Sequence, residues 1–215
     1  MDIIKEACVE GYQEAIQAKK LGADRIELCS SLNEDGLTPD RKTITSVFKA
    51  MNIPVKIMIR PRKGNFIYNQ KEISQMESDI LFCKKQGIKE VVFGCLDNKE
   101  RVDIDTLNRL ANISYPMKIT FHKAIDHTHD ILVEMDRLVK AKSVASVLTS
   151  GGSTYVLNKK TLLMKILENF KGKLNIIIAG GISENNFDNL HQVFQWNEYH
   201  GRRIVGNLNN AKKVG

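Results

Sequence analysis

Long apolar runs are missing from these 215 residues, and no stretch approaches the roughly 20 residues that a helix needs to cross a bilayer. A signal-peptide core is missing as well, because Asp2, Lys5 and Glu6 put charges at the start of the chain. These absences lead to the expectation of a cytoplasmic protein with no membrane partner. Cysteine is sparse. Cys8, Cys29, Cys83 and Cys95 are widely spaced with no CxxC, which points to neither a disulfide framework nor a closed zinc site, so reduced thiols are expected. The net charge of +7 comes from scattered residues such as Lys19-Lys20, Lys84-Lys85 and Lys159-Lys160, as on solvated helix faces. Zinc-finger spacing, an RRM aromatic signature and a long basic stripe are all absent, and no nucleic-acid partner is expected.

What is present fits one globular domain. A hydrophobic content of 42% and this length allow a core that removes roughly 70% of the extended surface from water, without staples. Short β-rich runs at Ile3 to Cys8, Arg25 to Cys29, Val55 to Ile59, Glu90 to Gly94, Met117 to Phe121, Ser146 to Leu148 and Asn175 to Ile178 read as seven strands. Between them lie helical spacings: Ile44, Val47, Phe48 and Met51; Ile73, Met76, Ile80 and Cys83; Leu132, Met135, Leu138 and Val139; Leu163, Ile166, Leu167 and Phe170. Shorter helical patterns cover Tyr12 to Lys20, Ile104 to Ala111 and Phe187 to Phe194. That alternation predicts a parallel sheet.

The polar residues inside the strands choose between an open sheet and a barrel. Ile26 and Leu28 share one face while Arg25, Glu27 and Cys29 share the other; Lys56, Met58 and Arg60 oppose Ile57 and Ile59; Lys118, Thr120 and His122 oppose Ile119 and Phe121. An open sheet covered on both sides needs two apolar faces. The pattern therefore predicts an α/β fold of the single-domain TIM (β/α)8-barrel type, over residues 1–205. An eighth strand has to lie at Glu198 to His200 or Arg202 to Val205. The segment 206–215 reads as a short polar tail, too short for a final helix, so the eighth βα unit is expected to be short or incomplete.

In a barrel the site lies at the C-terminal ends of the strands, which here carry Glu6 and Cys8, Glu27 and Cys29, Arg60 and Arg62, His122 and Lys123, and Thr149 to Gly152. Carboxylates beside Arg and His suit proton transfer on an anionic substrate. In the alternative, Glu6, Glu27 and Arg60 form a buried ion-pair network that closes the barrel without reacting. Glycine pairs follow two strands, in Thr149-Ser150-Gly151-Gly152 and Ala179-Gly180-Gly181-Ile182, where backbone amides can cradle an anion or tight turns can simply require glycine. Ser183 is placed to cap the next helix. Cys8 and Cys29 come together if their strands are neighbours, and soft thiolates suit Cu(I). Cys83 lies on an apolar helical stripe and reads as core. His122 and His200 are better ligand candidates than His191, and His127 and His129 fall on a surface loop.

Several of these stretches, taken in order, resemble a known family. Gly22 to Cys29 (GADRIELC), Gly36 to Pro39, Ile59 to Arg62 (IRPR), Gly64 with Phe66 and Tyr68, Thr120 to Asp126 (TFHKAID), Leu148 to Gly152 and Ala179 to Gly181 look like the copper homeostasis protein CutC family. The opening Glu6-Ala7-Cys8 fits too. The resemblance implies a cytoplasmic TIM barrel, a homo-oligomer assigned to copper tolerance and copper binding, with Glu6, Cys8, Glu27, Cys29, Arg60, Arg62, His122 and Asp126 at the strand ends and Cys8 and Cys29 as copper ligands. Two departures stand out. Lys123 replaces the family's usual Arg and loses its planar fork, and the stretch from Glu198 to Gly201 matches only in part.

Two functions therefore remain open: copper handling through Cys8 and Cys29, or general acid–base chemistry on a small anionic or phosphorylated molecule. The second would use Glu6 or Glu27 as base, His122 as acid, Arg60 and Arg62 as clamps, and Ser150, Gly151, Gly152, Gly180 and Gly181 as an anion cradle. They pull in opposite directions, since Cu(I) wants soft ligands and the mouth looks rich in hard oxygen and cationic nitrogen.

Overall fold

The structure, a computed structural model, describes residues 2–208. Eight parallel strands close into a barrel in chain order. They are β1 (Ile4–Val9), β2 (Arg25–Leu28), β3 (Val55–Met58), β4 (Glu90–Phe93), β5 (Lys118–Phe121), β6 (Ser146–Thr149), β7 (Asn175–Ile178) and β8 (Glu198–Gly201). Seven α-helices alternate with them: α1 (Tyr12–Lys20), α2 (Arg41–Ala50), α3 (Gln70–Gln86), α4 (Ile104–Ser114), α5 (Ile131–Ala141), α6 (Lys160–Phe170) and α7 (Phe187–Phe194). All seven strands expected from the sequence are present, and the eighth occupies the first of its two candidate positions.

The strand alternation works as the sequence suggests. Ala7, Val9, Ile26, Leu28, Ile57, Ile119 and Phe121 are buried in the layer shared with the helices, and the alternate residues turn to the barrel axis. The helices present apolar stripes to that layer, for example Ile73, Met76, Ile80 and Cys83 on α3 and Leu163, Ile166, Leu167 and Phe170 on α6. The starts of α2, α3, α4 and α5 are fixed by side chains that accept from orphan amides. Asp40 accepts from Lys42 N and Thr43 N, Asp130 accepts from Leu132 N and Val133 N, and Asn69 with Glu72 forms a capping box. On α5 the buried stripe is Ile131, Glu134, Met135 and Leu138, while Leu132 and Val139 lie at its margin. Glu134 is satisfied there by Val102 N at 2.8 Å and Arg137 Nη1 at 2.6 Å.

Closure depends on β8. Its register with β1 runs over four pairs, including Glu6 opposite His200, whereas a single pair, Ile178 with Tyr199, joins it to β7. Tyr199 is fully buried on the outer face of the strand, edge-on to Phe187 with centroids 5.2 Å apart, and its hydroxyl accepts from Trp196 N at 3.1 Å. No helix follows β8 among the described residues, and the segment after it brings Leu208 into the core. The expected tail is described only as far as residue 208.

Gly201 closes the seam against the β7–α7 loop, and a Cβ at that position would collide with the backbone carbonyl of Ile182. Gly201→Ala is expected to destabilise the barrel by roughly 1–3 kcal/mol, read as a fall of several degrees in Tm by calorimetry. An unchanged Tm would show that β8 yields freely.

Candidate functional site

The lower part of the barrel axis is filled by charge. Glu6 is fully buried and receives Arg25 Nε, Lys56 Nζ at 3.2 Å and His200 Nδ1 at 2.8 Å. Arg25 Nη2 also donates to Glu198 at 2.5 Å, and Lys56 Nζ reaches Glu90 at 3.0 Å and Thr120 Oγ1 at 2.9 Å. Thr120 donates to Glu90 at 2.7 Å, while Asn175 Nδ2 donates to Glu198 at 2.5 Å and to Ser146 Oγ at 3.4 Å. Every strand thus contributes a polar group to one connected network. Burial by itself would raise the Glu6 pKa, but Lys56, Arg25 and His200 outweigh it and hold this carboxylate well below the usual range. Glu6 is consequently a poor base, and its position fits a structural counter-ion.

One layer nearer the mouth the chemistry changes. Cys8 follows Glu6 by two residues on β1 and Cys29 follows Glu27 by two at the end of β2, so all four side chains point to the axis, with Cys8 opposite Glu27 in register. The two sulfurs lie 3.8 Å apart, and Cys29 Sγ is 3.5 Å from Glu27 Oε2. His200 Nε2 stands 3.7 Å from the same Glu27 oxygen. Cys8, Glu27 and Cys29 can offer three donor atoms within 4.8 Å of one another, as can Glu6, Glu27 and His200. Buried Met58 and Val92 cluster with the two sulfurs.

The electrostatics separate these groups. Cys8 is pulled down to about 5, first by the hydrogen bond with Cys29, with His200 assisting against burial. Cys29 is pushed far up, by that same hydrogen bond and by burial. Burial lifts Glu27 to about 8, and its Oε1 has no hydrogen-bond partner among the described residues. Burial alone would depress His200, but Glu27, Cys8 and Glu6 raise it well above its ordinary value. Cys8 is thus the more acidic of the two thiols, and the negative charge around His200 favours its imidazolium form.

The other residues singled out in the sequence lie elsewhere. Arg60 donates to the carbonyls of Glu34 at 2.9 Å, Gly36 at 3.2 Å and Gly64 at 2.9 Å, bracing the loops after β2 and β3. Arg62 is held by Glu72 at 2.6 Å and by the Ile67 carbonyl at 2.7 Å. Asp126 accepts from Thr149 Oγ1, from Ser150 N at 2.9 Å and from Ser150 Oγ at 2.6 Å, which fixes the loop after β6. Burial, with Arg60 nearby, lowers His122 to about 3, so it is neutral, and its Nδ1 accepts from Ala124 N at 3.1 Å. Gly151 and Gly152 take left-handed φ values of 68° and 80°; a Cβ on Gly151 would press on Lys159 and Leu163 around the start of α6, and one on Gly152 on the Asp126 carbonyl. Gly180 and Gly181 line an open cavity.

The structure thus brings Glu6, Cys8, Glu27 and Cys29 together and adds His200, which the sequence marked only as a ligand candidate without partners. Lys56, Glu90 and Glu198 were not singled out. Their signal is a charge at an axis-facing position of a strand that is otherwise apolar on its outer face.

Glu6→Gln breaks the buried network, and a loss of about 3–5 kcal/mol is expected in urea unfolding at neutral pH. Because the folded pKa of Glu6 is depressed, its contribution is complete above the ordinary value of 4.5 and disappears as pH falls through the folded value. The gap between the two proteins should therefore close in acid, and a gap independent of pH would contradict the assignment. Ultraviolet thiolate absorbance is expected to titrate with a midpoint near 5 in the parent protein; Cys8→Ser should lose that transition, and one that persists would assign it to another cysteine.

Comparison with known proteins gives this geometry a family. A copper homeostasis protein cutC homolog of Homo sapiens is 36% identical over 197 residues, covering 92% of this chain and 72% of its own length. A family protein CutC of Histophilus somni is 34% identical over 200 residues, covering 93% of this chain and 81% of its own. The crystal structure of the CutC protein of Streptococcus agalactiae superposes with a TM-score of 0.89 at 28% identity, over 94% of this chain and 99% of that one. The sequence profile of the CutC family matches residues 3–205, and this chain belongs to that family.

Proposed function

We propose that this protein serves copper homeostasis by holding Cu(I), as cargo, between Cys8 and Cys29. The observation that carries this reading is the pair of buried sulfurs 3.8 Å apart on adjacent strands. Thiolate is the donor class that selects Cu(I) over harder ions, and Met58 and Val92 beside the sulfurs give a soft, apolar surround. The conflict between soft ligands and a cationic mouth eases, because Arg25 and Lys56 are paired with Glu6, Glu90 and Glu198 in the layer below. The names of the human and mouse relatives, copper homeostasis protein cutC homolog, agree with this role. The reading places the protein in a reducing compartment, the cytoplasm, where closely spaced thiols stay reduced. Anaerobic Cu(I) titration against a competing chelator tests it. One tight site per chain is expected, lost in Cys8→Ser/Cys29→Ser. A site that survives without both thiols would sink the proposal.

One observation favours a second reading, proton transfer to a small anionic molecule at the same mouth. Glu27 is a buried carboxyl held protonated near neutrality, with Oε1 unpartnered, beside the Cys8–His200 pair. Such a group is poised as a general acid, and proton transfer runs best when the acid's pKa lies near the working pH. Glu27→Gln separates the readings. It keeps both sulfurs, so Cu(I) stoichiometry should be retained, and a lost site would make the carboxyl a ligand.

A further inference from the structure

A cavity of about 550 Å³ opens beside the ends of β7 and β8, lined in part by Lys123, Gly180, Gly181, His200, Arg202 and Arg203. Its size falls in the range of small-molecule sites. Among the described residues no carboxylate lines it, although two lining groups are paired outside it, His200 with Glu6 and Arg202 with Glu14. That contrasts with the barrel axis, where Arg25 and Lys56 each face carboxylates, and with Arg60 and Arg62, which are held by loop carbonyls and Glu72.

In the glycine turn that lines this cavity the carbonyls are engaged and the amides are not. The Gly180 carbonyl accepts from Val156 N at 3.1 Å, and the Gly181 carbonyl accepts from Asn186 Nδ2 at 2.8 Å. Among the described residues neither glycine amide donates to a protein acceptor. Both glycines lie at left-handed φ, 110° and 67°, and a Cβ would come within 2.9 Å of Ser150 Cβ at the first and of Tyr155 Cδ2 at the second. Two backbone amides without a protein acceptor thus belong to a cavity-lining turn that only glycine fits. Lys123 and Arg203 have no ion-pair partner among the described residues, whereas Arg202 is already paired with Glu14 at 2.9 Å and Glu10 at 3.7 Å.

We propose that this cavity binds the phosphate group of a small molecule, with the Gly180 and Gly181 amides and the Lys123 and Arg203 side chains as its donors. A tetrahedral dianion can use adjacent amides and two cations together, and charge-assisted hydrogen bonds are the strong ones. Neither cysteine lines the cavity, so the site stands apart from the copper reading. It adjoins the catalytic candidates only through His200.

The test is isothermal titration of the full chain with inorganic phosphate and with glycerol 3-phosphate, at ionic strength held constant with chloride. Saturable binding at one site is expected for both probes. Tighter binding of the ester would identify a phosphorylated metabolite as the occupant, and tighter binding of the free ion would identify phosphate itself. Lys123→Ala and Arg203→Ala should each weaken binding about tenfold. Lys165→Ala, which removes the same charge from an exposed position on α6, should leave it unchanged. Absence of saturable binding would overturn the proposal, and so would equal weakening by Lys165→Ala, which would reduce the effect to overall charge.

Discussion

An ionised carboxylate at the centre of a barrel cannot stand alone, and the arrangement around Glu6 follows from that constraint. Isolated in a low-dielectric interior it would cost far more than folding can supply, so it is matched by Arg25, Lys56 and His200 from three other strands. Those partners in turn require Glu198 and Glu90. The network therefore spreads until it meets every strand. It is densest where the barrel closes, since β8 is joined to β1 by four pairs and to β7 by one. A strand as short and polar as Glu198–Gly201 holds its place because its inward side chains complete the network and Tyr199 anchors its outer face.

The same constraint divides the labour between two carboxyl groups. Glu6 and Glu27 are both buried on the axis, yet one is held ionised and the other rises to about 8. The difference lies in their partners. Glu6 receives three cationic donors directly, whereas Glu27 has His200 at 3.7 Å, a thiol, and an oxygen left without a donor. Environments that push like groups apart in this way assign their roles. With its charge balanced internally, the lower layer leaves the sulfurs above it to act as soft donors.

Much of the fold was legible because strand and helix periodicities are local. The opposition of Glu27 to Ile26 and Leu28, or of Lys56 to Ile57, announced one apolar and one polar face, and a parallel sheet with a polar face is a closed one. The meeting of Cys8 with Cys29 was conditional on their strands being neighbours, and the barrel supplies that condition by pairing β1 with β2. The partners of the arginines were less accessible. Arg60 and Arg62 sit at strand ends where an anion clamp is plausible from spacing, but their guanidinium groups find loop carbonyls within a few residues. The two glycine pairs look alike in sequence. Both are closely approached by neighbouring chain, but Gly180 and Gly181 also line a cavity, a distinction that depends on what the next segment covers.

The sequence by itself determined the alternation of strands and helices, the inward set of polar side chains and the family, because each rests on order along the chain. Only the tertiary structure decided which charges meet and what state they take. Arg25 and Glu198 are 173 residues apart yet share a hydrogen bond of 2.5 Å, and His200 reaches Glu6 and Glu27 only once β8 has closed on β1. Proton affinities depend on distances of a few ångströms and on exclusion of water, and both come into being when the barrel shuts.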